Sequence, residues 1–320
     1  MKKESLLFRT LVLVVAMMCA LGVSAQEAYA VYTADNTTLS FYYDNQRDSR
    51  LGRVYDLNTG INRVGWELDH TCNEVTNAVI DPSFADARPT TTYAWFYGMN
   101  KIDTIIGLEY LNTSEVTIMD WMFGHSNNLK HIDVSHFNTD KVTSMYAMFG
   151  DCEKLKTLDL SNWNTANVTD MDMMFSFCLE LQTIYVGSGW NTDCVTQSEH
   201  MFANNFAIVG GQGTAWDASN PRDKTYAHID GGPDNPGYFS EKPAPMRGDV
   251  NSDGAVDIAD VVLLIDVLLV NGTAPENADC DQSGIVDIAD VSALIDYMLT
   301  GSWSDGEPQP ASETFTVNGV

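Results

Sequence analysis

The chain has 320 residues, with 17 Lys+Arg against 44 Asp+Glu for a formal net charge of −27, and 44% of its residues are hydrophobic. This length suggests about two domains at roughly 150 residues each, and the apolar content supports a real core rather than wholesale disorder. A surface this acidic repels phosphates, which excludes a general affinity for nucleic acid or anionic membranes.

Residues 1–25 join a basic start (MKKESLLFR), an apolar run (TLVLVVAMMCALGV) and the small exit Val23-Ser24-Ala25. That is the anatomy of a secretory signal peptide. A secreted, extracellular or cell-surface chain is expected, since no later stretch approaches the ~20 apolar residues that span a bilayer. Cys19 raises a lipoprotein alternative, although the bulky Met17-Met18 before it suits lipid attachment poorly. After it come Cys72, Cys152, Cys178, Cys194 and Cys280, a set too sparse and too odd for a disulfide scaffold. Cys152 and Cys178 stand at equivalent places in adjacent repeats, as a buried thiol pair or as a disulfide.

The middle of the chain repeats. Met-Phe occurs at 122–123, 148–149, 174–175 and 201–202, with Trp95-Phe96 as an earlier variant. Asn-Thr occurs at 112–113, 138–139, 164–165 and 191–192, each pair followed by Val116, Val142, Val168 or Val195. A period of 26–27 over four turns predicts a solenoid. In each unit Leu158 and Leu160 alternate with Asp159 as in a short strand. Asn-Thr turns the chain. Val168, Met171, Met174 and Phe175 then lie on one stripe of an expected helix. The stripe reads as core rather than a cofactor site, and His125, His131 and His136 as a solvated face rather than a metal site. Outward positions such as His131, Asp133, Lys156, Asp159 and Gln182 would form an exposed binding face.

LKTLDLSNWNTANVTDMDMMF (155–175) resembles the repeat of the BspA-like leucine-rich-repeat surface proteins of bacteria. The resemblance implies an α/β leucine-rich-repeat-type solenoid, with an N-terminal cap region over 26–94, repeats over 95–210 and a C-terminal cap over 211–240. It also implies surface exposure and adhesive binding of an unidentified protein or glycan ligand, without a catalytic centre.

After the linker EKPAPMR (241–247) a second duplication begins. VDIADV stands at 256–261 and 286–291, and Leu-Ile-Asp at 264–266 and 294–296. The first copy places Asp249, Asn251, Asp253, Asp257 and Asp260 at loop positions 1, 3, 5, 9 and 12, with Gly254 at position 6. The second places Asp279, Asp281, Ser283, Asp287 and Asp290 in the same register, with Gly284 at position 6. Such a loop wraps one calcium ion in alternating oxygen ligands, and position 7 (Ala255, Ile285) offers its carbonyl. Each loop gathers carboxylates whose mutual repulsion is about 1 kcal/mol per pair at 4 Å even in water. Calcium would convert that repulsion into ligation and couple binding to folding, in a domain of ~55 residues that is marginal by itself. Magnesium demands a smaller octahedral cage and fits less well.

Aspartate at position 12 and the lack of an entering helix resemble the type I dockerin, a small all-α module of two F-hand-like repeats, over 248–301. That family's partner is a cohesin module on a scaffold or surface protein. Its recognition positions fall here on Ile258 and Ala259, and on Ile288 and Ala289. The same two isoleucines could instead begin the helix core. The tail 302–320 reads as a polar linker with a strand-like end. A non-catalytic binding protein held by its dockerin is the expected function. The alternative is an accessory or enzymatic component of a polysaccharide-degrading assembly, although no phosphate loop, nucleophile elbow or zinc motif is found.

Overall fold

Alternation in EAYAVY and TLSFYYD builds the first sheet from β1 (Glu27–Tyr32) and β2 (Thr38–Asp44), paired antiparallel. Between them Asn36 adopts φ 60°, and Asp35 accepts from the backbone N–H of Thr37 and from the hydroxyls of Thr33 and Thr37. The turn is thus specified by short polar side chains. β3 (Arg53–Asp56), β4 (Asn77–Ile80) and β5 (Ile105–Ile106) complete a five-stranded sheet in the order β3-β1-β2-β4-β5. The two pairings made by β4 are parallel. A single helical turn, α1 (Gly65–Leu68), buries Trp66 against Phe41 and Tyr55. These elements come from a computed structural model that describes residues 25–69, 72–251, 254–270 and 274–304. The signal-peptide reading of residues 1–24, Asp253, and the tail beyond residue 304 lie outside them.

The expected α/β leucine-rich-repeat solenoid is overturned. Mixed sheets with few helices make up the fold. Val116–Phe123 and its equivalents contain no helix. Met119, Trp121, Phe123 and His125 donate their N–H groups to Ser144, Tyr146, Met148 and Gly150, about one sequence period onward. The residues between them close short turns instead, as Met122 does on Met119 and Gly124 on Trp121. Left-handed residues punctuate the ribbon at Trp121, His125, Ala147, Asp151, Met173 and Phe177, with φ between 47° and 61°. An α-helix admits no such residue. A three-to-four-residue apolar spacing suits this turned ribbon as well as a helix, which is why the stripe misled.

What the period does produce is a set of registered contacts. Phe96, Phe123, Phe149, Phe175 and Phe202 stack face to face with centroids 5.5–6.1 Å apart, and all are fully buried. The Asn-Thr pairs turn the chain as expected. Asn112, Asn138 and Asn164 accept from the N–H two residues on, at 3.0–3.1 Å. Thr113, Thr139 and Thr165 donate to the carbonyls of Asn138, Asn164 and Asn191. Only two of the expected short strands form, β6 (Thr157–Leu160) and β7 (Thr183–Val186). They run parallel in a three-stranded sheet with β8 (Ser240–Glu241). There Leu158 and Leu160 are buried, while Asp159 faces out to Lys242 Nζ at 2.5 Å. Cys152 and Cys178 are free, buried thiols that donate to the carbonyls of Phe123 and Phe149 at 3.2 and 3.0 Å.

The chain divides between Lys242 and Pro243. The second unit holds two helices, α2 (Ile258–Leu269) and α3 (Ile288–Thr300), whose Val261, Leu264, Val291, Leu294 and Tyr297 share a small core. Trp303, read as tail, belongs to this core, and Arg247, read as linker, packs on it. Trp303 stacks on Tyr297 at 4.2 Å, and the Arg247 guanidinium lies 4.3 Å from the centre of the Trp303 ring.

Candidate functional site

Each acidic loop of the second unit is tied to the helix that follows it. Asp257 caps α2 by accepting from the Ala259 N–H at 2.7 Å. Asp260, three residues later, reaches back to the N–H of Asp257 at 2.8 Å and across the loop to that of Asn251 at 3.0 Å. Asp287 and Asp290 repeat this capping box on α3, with Asp290 accepting from Asp287 and Asp281 at the same distances. In both loops the position-6 glycine is left-handed, Gly254 at φ 90° and Gly284 at φ 84°. Each donates to the position-1 carboxylate, Asp249 or Asp279, at 2.9 Å. The duplicated sequence therefore folds into two copies of one hydrogen-bond pattern.

The second loop gathers Asp279, Asp281 and Asp290, whose carboxylate oxygens lie within 4.8 Å of one another. Ser283 joins them through its N–H to Asp279 and Asp281, and its hydroxyl donates to the Ile285 carbonyl at 3.1 Å. In the first loop Asp260 accepts from the Asn251 N–H and Asp249 from that of Gly254, with Ala255 next in the same bend. Asp257 and Asp287 stand at the helix entrances with one carboxylate oxygen already engaged. Asp260 and Asp290 are fully buried, and Asp290 faces the carboxylates of Asp279 and Asp281, a costly arrangement for buried like charges. An all-oxygen donor set around buried, like-charged groups fits a hard dication such as calcium. Calcium would supply the positive charge these oxygens lack.

Sequence reasoning missed the residues that hold the first loop from outside. The Asn277 side chain donates to the Asp249 carbonyl, and the Asn277 carbonyl accepts from Gly248. Arg247 donates to the Cys280 carbonyl through Nε and Nη2 at 2.9 and 2.6 Å. Gly248 is left-handed, and a Cβ there would stand 2.8 Å from Trp303 and 2.9 Å from Leu294. The duplication could not announce these contacts, because they are what makes its two halves differ.

Ile258 and Ile288 are 64% and 70% exposed, and Ala259 and Ala289 are exposed too. They do not begin the helix core, which starts with Val261 and Val291. Val262, Ile265 and Leu269 extend the open apolar face of α2, and Ile295 and Leu299 that of α3. No helix among the described residues is long and apolar enough to cross a membrane.

In the first unit the three histidines separate. His125 stacks on Trp121 and sits 3.4 Å from Asp151. His136 lies 3.0 Å from the Leu108 carbonyl, and His131 is exposed. Another group, Asp172, Glu199 and His200, comes within metal-ligand spacing on the surface. His131, Asp133, Lys156 and Gln182 face outward as read.

Residues 90–221 match the family described as Mycoplasma protein of unknown function, DUF285. Residues 247–308 match the type I dockerin domain. Type I dockerin domains bind calcium and attach their chains to cohesin modules, which defines the class of the second unit. Neither match describes leucine-rich repeats. Among curated proteins and among solved structures no match is found.

Proposed function

We propose that this is a non-catalytic, secreted or cell-surface binding protein, docked onto a cohesin-bearing partner in a calcium-dependent way by its second unit. The observation that carries this reading is the duplicated loop–helix pattern, with an exposed Ile-Ala pair at the start of each helix. Two calcium ions are held, one by Asp249, Asn251, Asp253, the Ala255 carbonyl, Asp257 and Asp260. The other is held by Asp279, Asp281, Ser283, the Ile285 carbonyl, Asp287 and Asp290. Ile258 and Ala259, or their counterparts Ile288 and Ala289, contact the cohesin through exposed apolar surface. The first unit presents its outward positions to a protein or glycan. A role as accessory component of a polysaccharide-degrading assembly is the second reading, favoured by the dockerin match alone.

Titration of the calcium-stripped chain with calcium should release heat and raise helicity, and the doubly substituted Asp249→Ala, Asp279→Ala chain should do neither. Capture on an immobilised cohesin should vanish with that variant and with chelator. Capture that persists in both would defeat the metal-dependent docking.

A further inference from the structure

The first unit contains a cleft of about 390 Å³, where α1 and the segment after it face the first turns of the ladder. That lies within the range of small-ligand sites, roughly 300–1,000 Å³. Its wall carries Arg63, Glu67, Tyr97, Asn100, His125 and Asn127. Glu67 is 10% exposed and pairs with Arg63 at 3.1 Å, while Arg63 itself is 61% exposed at the mouth. Asn100 donates to Asn73 at 3.0 Å and accepts from the Asn127 N–H at 3.3 Å, while Asn127 donates to Glu153 at 2.6 Å. The ring of Tyr97 stands edge-on to Trp121 and His125, at 5.6 and 5.1 Å. Burial, and then the nearby Glu67 carboxylate, push the Tyr97 phenol up, so its hydroxyl remains a neutral donor and acceptor.

We infer that this cleft binds a neutral, polyhydroxylated ligand, the end or side unit of a glycan chain. Carboxamides, a phenol and an Arg–Glu pair offer donors and acceptors side by side, and a sugar hydroxyl uses both at once. The partly exposed Tyr97 ring adds apolar surface for the C–H groups of a pyranose. A lipid-like ligand would leave this polar wall unpaired. An anionic sugar meets an Arg63 already paired to Glu67, on a chain of net charge −27. A cationic peptide would have to displace that same guanidinium at the mouth.

This inference deepens the proposal that the first unit binds a protein or glycan, and it is tested on the full chain by calorimetry. Cellohexaose, xylohexaose, mannohexaose, polygalacturonate and hexalysine serve as probes. At least one neutral hexasaccharide should bind. Arg63→Ala and Tyr97→Ala should each weaken it roughly tenfold, while Tyr97→Phe, which keeps the ring, retains more of the affinity. Asp48→Ala, exposed and outside both the cleft wall and the outward face, should change nothing. Circular dichroism checks that Arg63→Ala, which removes the partner of the nearly buried Glu67, keeps its fold, and an unchanged affinity in that variant and in Tyr97→Ala overturns the inference. If His131→Ala and Gln182→Ala abolish binding instead, the cleft is wrong but the broader binding proposal stands. Failure of all three neutral sugars, or preference for polygalacturonate or hexalysine, overturns the inference as well.

Discussion

Asp230 is buried, and its carboxylate accepts from the N–H groups of Gln212, Thr214 and Gly232 at 2.9 Å and from the Thr214 hydroxyl at 2.7 Å. Burial pushes its pKa up, but these bonds outweigh it and hold the group at about 2. The folded value lies below the unfolded one, so the contribution to stability is fully present above about pH 5. It is lost as the pH falls through about 2, and its size is about 2 kcal/mol. Asp230→Asn should lower the urea-unfolding free energy by about that amount at pH 7, and the difference should shrink toward pH 2. No motif marked this residue, because its donors come from a loop 16–18 positions upstream as well as from its own turn. The thiols were more legible. Burial raises Cys72 to about 11 and Cys280 to about 12, and moves Cys152 and Cys178 upward too. Cys194 is the exposed one among the described cysteines. A thiol reagent at pH 8 should therefore label Cys194 first, with the four buried thiols following only on unfolding.

At the level of elements, Asp260 and Asp290 serve two purposes at once, closing a capping box and lining an acidic loop. Loop spacing revealed the second purpose, while the first appears only once the backbone N–H groups are in place. Melts at saturating calcium separate the two. Asp281→Ala removes a candidate ligand and its bond from the Ser283 N–H, whereas Asp290→Ala removes a candidate ligand and both bonds that tie the loop to the helix, and should cost about 1 kcal/mol more. The β6 and β7 strands were readable because alternation around Asp159 fits a pleat and little else. The Met/Phe stripe was not, since its spacing cannot distinguish intrahelical bonds from bonds reaching a neighbour 25 residues away. Burial itself was predicted correctly, and truncating the phenylalanine stack at its middle, Phe149→Ala, should cost about 3–5 kcal/mol in the main unfolding transition.

Over the whole molecule, two separate cores imply two unfolding events. Calorimetric scans with and without chelator should shift one transition and leave the other in place. A single transition that moves as a whole would mean that the cores do not melt independently. The division was legible as a change from one sequence period to another duplication. Its placement of Arg247 and Trp303 was not, since neither belongs to a repeat.

Those two side chains also determine how the second unit bears tension. Arg247 precedes the first loop and Trp303 follows α3, so a pull applied between these two residues should load their contact before it stretches either loop. Gly248, with no room for a methyl group beside Trp303, lets the contact close tightly. A bulkier residue there would lower the force at which the unit yields, even with calcium saturating.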